Sequence, residues 1–311
     1  MATTSRADGL HLYLAAAPST ARHGLMALNT TPPEQPAKFL LSYHYFKKMD
    51  LDELVAGMNQ KPMLFSDSGA YSAWTQGAEI KVKDYAAWVK RWSHILDVYV
   101  NLDVVRDPQG TRKNQLEMER LGLNPIPVFH TGSPMSVLDE MCKEYPYIAL
   151  GGMVGTGAAT NLKWSATCMQ RTAEHGTAFH GFGQTSAKVI TTLPWYSVDS
   201  SSWGAGHRFG SVPLWTGREF VKIQIGNHAG VYKYAAQLRK LGVDPACLAD
   251  RGRYHQRYAI QVAAASWHSY EALLRKRHGA ITCPNKPDGL HLYLVDGAKE
   301  NLQNAAKAIN K

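Results

Sequence analysis
Eight short apolar segments, spaced so that a crossover helix fits between most of them, place the tightest limit on how this chain can fold. They cover residues 10–16, 39–46, 62–66, 96–103, 125–129, 147–150, 177–180 and 195–198. Each has the length of a strand, and helical spacing fills several gaps, at 50–59, 83–93, 114–121, 134–145, 162–175 and 186–193. In residues 83–93, Tyr85, Trp88, Val89 and Trp92 fall on one helical face, the mark of a stripe turned to a core. Strand and helix in alternation specify an α/β fold with a parallel sheet. A doubly wound open sheet and a (β/α)8 barrel share that alternation, and the chemistry at the segment ends separates them. Asp67, Asp103, His130, Gly151 with Gly152, Gly181 with Gly183, and Asp199 each stand at or just past the carboxyl end of an expected strand. In a barrel those ends converge on one mouth, where barrel enzymes hold their reacting groups. The expectation is a (β/α)8 TIM barrel over residues 1–205, followed by a basic, mainly helical extension over 206–311.

Charge is divided unevenly along the chain. Residues 201–311 hold 16 Lys and Arg against 7 Asp and Glu, which accounts for the whole formal net charge of +9 over 311 residues. The groups Arg208, then Arg251, Arg253 and Arg257, then Arg275, Lys276 and Arg277 are interleaved with Trp203, Trp215, Tyr232, Tyr254 and Trp267. Cations separated by aromatics suit a polyanion whose phosphates are neutralised and whose bases stack; solvated helix faces are the competing reading. No apolar run approaches the roughly 20 residues that span a bilayer, and residues 1–6 lack the apolar centre of a signal peptide. A cytoplasmic protein with no membrane partner is therefore expected. Cys142, Cys168, Cys247 and Cys283 lie far apart with no paired spacing. That argues against a disulfide framework and a zinc cluster, and no metal or cofactor is expected. The stretch from Asp288 to Leu294 repeats that from Asp8 to Leu14 without a change, and no function follows from it.

The segment Phe65-Ser66-Asp67-Ser68-Gly69-Ala70-Tyr71 puts a carboxylate at a strand end, then a small-residue turn, then an aromatic face. Asp67 there either caps the following helix or belongs to a site. Asp199, in Ser197-Val198-Asp199, supplies a second carboxylate. Two facing carboxylates, without a Ser-His-Asp arrangement, suit displacement at an anomeric carbon, one attacking and the other managing protons about 5 Å away. Asp103 is suited to accept from the N1–H and exocyclic amine of a guanine-like base. The backbone at Gly151-Gly152-Met153 is suited to donate to its carbonyl oxygen, small residues letting the main chain approach.

Five motifs, Asp67-Ser68-Gly69-Ala70-Tyr71, Asn101-Leu102-Asp103, Gly151-Gly152-Met153, Gly181-Phe182-Gly183 and Ser197-Val198-Asp199, resemble in order and spacing those of tRNA-guanine transglycosylases. The likeness covers roughly residues 10–205. The wording around Asn101-Leu102-Asp103, Pro127-Val128-Phe129-His130 and Trp195-Tyr196-Ser197-Val198-Asp199 is more similar to the DNA-acting DpdA-type branch of viruses and bacteria. The resemblance implies a pentosyltransferase that exchanges guanine in DNA for a free 7-deazaguanine base. It implies Asp199 as the nucleophile forming a covalent deoxyribosyl-enzyme and Asp67 as general acid/base. Asp103 would read the purine edge beside His130, which stands where the tRNA enzymes usually have glutamine. Gly152 N–H would bind the carbonyl oxygen, and Tyr71 and His180 would sandwich the base, next to Gly181.

Two departures bear on the substrate. Only Cys247 and Cys283 remain where the tRNA enzymes carry a zinc-binding cysteine cluster, and Val154-Gly155-Thr156 offers no glutamate to receive an aminomethyl base. A 7-cyano-7-deazaguanine is the expected incoming base, and duplex DNA with an extruded guanine the expected partner, since C1′ inside a duplex is out of reach. Exchange on tRNA, a catalytically silent DNA-binding module and a hydrolytic glycosylase are the alternatives.

Overall fold
The computed structural model describes residues 10–29, 35–153, 155–184, 187–204 and 206–278. All eight expected strands are present: β1 His11–Ala16, β2 Lys38–Ser42, β3 Met63–Asp67, β4 Leu96–Tyr99, β5 Val128–His130, β6 Tyr147–Gly151, β7 Ala178–Gly181 and β8 Ser197–Ser200. They run parallel in the order β4-β3-β2-β1-β8-β7-β6-β5. The sheet curls until its edges meet. Val100, just past β4, pairs in parallel with Ile126, just before β5. Asn101 N–H donates to Ile126 O at 3.1 Å, and Ile126 N–H to Tyr99 O at 3.0 Å. The fold is an α/β, (β/α)8-type barrel.

Helices follow the strands in turn: α1 Pro18–Ala27, α2 Leu51–Val55, α3 Val82–Arg91, α4 Pro108–Arg120, α5 Met135–Glu144, α6 Ala158–Arg171 and α7 Ala187–Thr192. Pro18 reads in the sequence as the end of a strand, but it also opens α1. Its missing N–H costs nothing at a first helical position, where that donor has no intrahelical partner. The two-residue period of each strand sorts side chains between two cores. Leu12, Phe39, Leu41, Leu64, Phe129, Ile148, Leu150, Phe179 and Val198 point outward to the helices. Tyr13, Leu40, Phe65, Val98, Val128, Tyr147, Ala149 and Ala178 fill the barrel interior. Two residues on from several inward apolar side chains, the same face carries Asp67, His130, Gly151 and His180.

The described part of the expected 206–311 extension packs against the barrel. Its last helix, α8 Gln256–His278, contributes Ile260, Ala263, Ala264, Trp267, Tyr270 and Leu274 to the outer core of the barrel. It packs on α1 and β1 as the eighth helix of the ring. Between β8 and α8 lies an insertion that includes an antiparallel hairpin, β9 Ser211–Trp215 and β10 Phe220–Gln224, which the sequence reading missed. Val212, Leu214, Ile223, Val231, Leu238 and Leu248 give this insertion its own small core.

A buried ion pair fixes the direction of α8. Lys38 Nζ, on the first residue of β2, lies 2.7 Å from Glu271, and the two side chains are 1% and 4% exposed. Gln256, at the other end of the helix, lines the barrel mouth with Asp67 and Asp199. The helix therefore runs from mouth to base, and 19 residues at 1.5 Å each carry Arg275 about 28 Å from Gln256. By this course Arg275, one of the expected nucleic-acid contacts, stands far from the mouth. The side chains of Lys276 and Arg277, Cys283 and the repeat from Asp288 to Leu294 lie outside the described residues, as do Asp8 and Gly9.

Stranding one partner of a buried pair costs more than replacing both. Lys38→Met is expected to lower unfolding free energy by about 3–5 kcal/mol, with the Lys38→Met/Glu271→Leu double variant recovering most of it. Urea unfolding followed by circular dichroism measures both, and an unchanged single variant would show that the pair does not clamp α8.

Candidate active site
Asp67 is the last residue of β3, and the chain leaves it through a turn that only glycine can make. Gly69 has φ 76°, and a Cβ there would lie 2.2 Å from Ser42 Oγ and 2.6 Å from His44 Cβ. Close passage of neighbouring loops, as well as any ligand, thus accounts for the small residues. Gly69 N–H donates to Asp67 Oδ2 at 3.1 Å, a turn contact and not a helix cap, since Gly69 itself holds the N-cap position of the helix over Ala70–Thr75, which has no side-chain cap bond. The electrostatics go further. Asp67 is only partly exposed, at the wall of a cleft, and Asp103 and Asp199 both add negative potential. Burial first, then Asp103, then Asp199 push the Asp67 pKa up to about 8, against the pull of the Gly69 and Ser68 backbone N–H groups. The shift favours the protonated carboxyl at neutral pH.

Asp199 shares a cleft with Asp67. A cavity of about 560 Å³ at the mouth is lined by both aspartates and by Ser42, Tyr45, Phe182 and Arg208. Asp199 Oδ1 accepts from Gly183 N–H at 2.8 Å and lies 3.4 Å from His180 Nε2. Ser197, two residues earlier on the same face, holds Tyr147 Oη at 2.5 Å and His180 Nδ1 at 2.6 Å. The nucleophile candidate thus stands on a tightly bonded polar floor.

Asp103 is tied to both neighbours. Its Oδ1 accepts from Ser68 Oγ at 3.0 Å, and its Oδ2 lies 3.1 Å from His130 Nε2. Ser68 also accepts from Ala70 N–H at 3.2 Å, which connects the Asp67 turn to the end of β4. The Asp103 and His130 side chains are 17% and 16% exposed. A carboxylate offers about four acceptor positions, so two partners leave room for two further donors. Ser68 is a site residue that sequence reasoning missed; its place between Asp67 and Gly69 was the available signal.

Other expected residues stand differently. His180 is fully buried, its ring stacked on Phe65 at 4.4 Å between centroids with Phe182 edge-on at 4.7 Å. It has no open face, so the sandwich of a base between Tyr71 and His180 is corrected: His180 is floor. Burial lowers its pKa against the opposing effect of Asp199, which favours neutral imidazole. Tyr71 is half exposed, 6.2 Å from Trp74. Gly181 is required by packing, since a Cβ would meet Trp195 and Gln184 at 2.8 Å. Gly151 likewise clears His130 and Val128, and Gly152 follows at φ 78°, its carbonyl accepting from Thr131 Oγ1 at 3.0 Å. The Met153 side chain is buried in the outer core, and its carbonyl anchors Thr156 and Asn161. Its side chain therefore serves the core and its carbonyl the loop, and neither serves the cleft.

Of the expected nucleic-acid contacts, Arg208 lines the cleft. Arg253 is bonded to Asp244 at 3.1 Å and Arg257 to Tyr258 Oη at 2.8 Å, while Arg251 packs beside Gly226. No helix among the described residues is long and apolar enough to cross a membrane. No family model matches the sequence, and no curated protein matches it.

A carboxyl whose folded pKa exceeds its unfolded one binds more protons in the folded state over the interval between them, so stability falls with rising pH there. For Asp67 that interval runs from ordinary carboxylate values to about 8. Asp67→Asn removes the ionisation, so the melting temperature of the variant relative to wild type is expected to climb between pH 5 and pH 8.5. A difference that stays flat with pH would contradict the raised pKa.

Proposed function
We propose that this chain is a transglycosylase that exchanges guanine in DNA for a 7-deazaguanine base, with 7-cyano-7-deazaguanine as the incoming base. The observation that carries the proposal is the joint action of three aspartates from three strand ends, one of them kept protonated to about pH 8 by burial and by the other two. Paired carboxylates with opposite proton states are what double displacement at a sugar carbon requires. The five motifs in order support the choice of a guanine-type base, and the departures from the tRNA pattern support DNA. Residence in the cytoplasm, of a host if the source is viral, belongs to the same reading.

In this scheme the Asp199 carboxylate attacks C1′ of an extruded deoxyguanosine. The C1′–N9 bond breaks as Asp67 gives its proton to the departing base, leaving a covalent deoxyribosyl ester. The free 7-deazaguanine then takes the vacated position. Asp67, now ionised, removes its ring proton as the ring nitrogen displaces Asp199 from C1′, which restores both carboxyls. The open acceptor positions of Asp103 receive N1–H and the exocyclic amine, with His130 orienting that carboxylate. Gly152 N–H meets the carbonyl oxygen and Tyr71 covers the exposed face of the ring. His180 and Ser197 hold Asp199 and the floor in place.

Incubation with radiolabelled 7-cyano-7-deazaguanine and either duplex DNA or tRNA tests the proposal. Label is expected in DNA, with kcat/KM falling as pH rises through about 8 because the first step needs protonated Asp67. Asp199→Ala is expected to lower exchange at least about a thousandfold while DNA binding persists. Label in tRNA alone, abasic sites without label, or an unchanged rate in Asp199→Ala would each reject it.

A further inference from the structure
Four exposed aromatic side chains lie on segments that follow three barrel strands, β2, β3 and β8, at their carboxyl ends. Tyr45 follows β2, Tyr71 and Trp74 follow β3, and Phe209 follows β8, at 45%, 50%, 52% and 75% exposure. Among the described residues only Tyr232 joins them as an exposed Phe, Trp or Tyr. Rings left in water at this density mark a surface that something covers.

Cations accompany the rings. The Arg106 guanidinium sits 5.5 Å from the centroid of the Trp74 ring. Arg106 is also the one non-glycine residue with positive φ among the described residues, at 63°. A bulky side chain in that region carries backbone strain, which persists where surrounding structure holds it. Arg208 precedes Phe209 and lines the cleft together with Asp67 and Asp199. Neither arginine forms an ion pair with a carboxylate among the described residues.

Flat rings with adjacent guanidinium groups match a strand whose bases stack and whose phosphates are charged. They match less well a protein partner, whose contact core is depleted in charge. We propose that Trp74 and Phe209, with Tyr45, Arg106 and Arg208, form a stacking platform for the unpaired deoxynucleotides on either side of the one held in the cleft. The proposal rests on the reading of this cleft as a DNA base-exchange site. Extrusion costs stacking and pairing on both flanks, and platform rings offset that loss beside the gap. The grip on DNA then comes from the loops after β2, β3, β4 and β8, on the barrel itself, and not from the far end of α8.

Fluorescence anisotropy of a labelled single-stranded DNA oligonucleotide of about 12 nucleotides with the full chain tests this, in parallel with the exchange assay. Stacking on one aromatic is worth about 1–3 kcal/mol per base, so Trp74→Ala and Phe209→Ala are each expected to weaken binding roughly 5- to 150-fold. Trp74→Phe should recover most of the affinity, Arg106→Ala should reduce the salt dependence by about one phosphate contact, and Arg275→Ala should change nothing. Binding of free guanine, followed by calorimetry, should be unaffected by Phe209→Ala. Unaltered DNA affinity in both Trp74→Ala and Phe209→Ala overturns the platform, even if exchange is seen and the transglycosylase reading stands. Aromatic-dependent DNA binding without exchange supports the platform and rejects the transglycosylase reading. Binding of tRNA but not of the DNA oligonucleotide overturns the choice of partner.

Discussion
A carboxyl group whose surroundings oppose its ionisation sets the character of the barrel mouth. Asp67 lies where β3 ends, packed by protein and facing the fields of Asp103 and Asp199. Bringing three carboxyls together in a place of low solvation is unfavourable, and the fold meets part of that cost by leaving one of them protonated. Hydrogen bonds hold the other two: Gly183 N–H on Asp199, and Ser68 with His130 on Asp103. Three identical residues thus come to stand in different surroundings, an asymmetry that position alone supplies.

The barrel makes this arrangement possible through its inward and outward faces. Phe65, Val128, Ala149 and Ala178 fill the interior, and the next inward positions along their strands are polar or bare. Apolar layers thus raise the functional row to the rim, and Phe65 stacking under His180 couples the floor across the barrel from β3 to β7. The one weak seam, where β4 and β5 meet through Val100 and Ile126, lies just below Asp103 and His130. The Ser68–Asp103–His130 chain spans that side of the mouth. Polar contacts therefore support the rim where strand pairing is thin.

Much of this was legible in the residues. Eight apolar segments gave eight strands, because strand length and alternation are local properties of sequence. Asp67 and Asp199 could be placed at one mouth because a barrel forces its strand ends together. What local pattern could not supply was burial across the ring. Whether His180 faces a ligand or a neighbour depends on Phe65, which is remote in the chain, and the need for glycine at 181 depends on Trp195. The packing of the segment after residue 205 was out of reach for the same reason. The apolar positions of α8, Ile260, Ala263, Ala264 and Trp267, announced a helix with a buried face. Only the Lys38–Glu271 pair and the contact with α1 reveal that the face it covers is the barrel's. The basic charge of that stretch consequently has several uses. Arg253 is occupied within the insertion and Arg257 on the first turn of α8, Arg275 lies towards the base of the barrel, and Arg208 stands at the mouth.

The protonation state of Asp67 is the point on which the chemistry turns, and it can be observed without substrate. Carbon-13 resonances of aspartate carboxyls, assigned by comparison with Asp67→Asn and followed from pH 4 to pH 10, report it directly. A midpoint near 8 for Asp67, moving down when Asp199 or Asp103 is replaced by Asn, is the expected result. An Asp67 that titrates near the ordinary carboxylate value and ignores both replacements would contradict the convergence of the three groups.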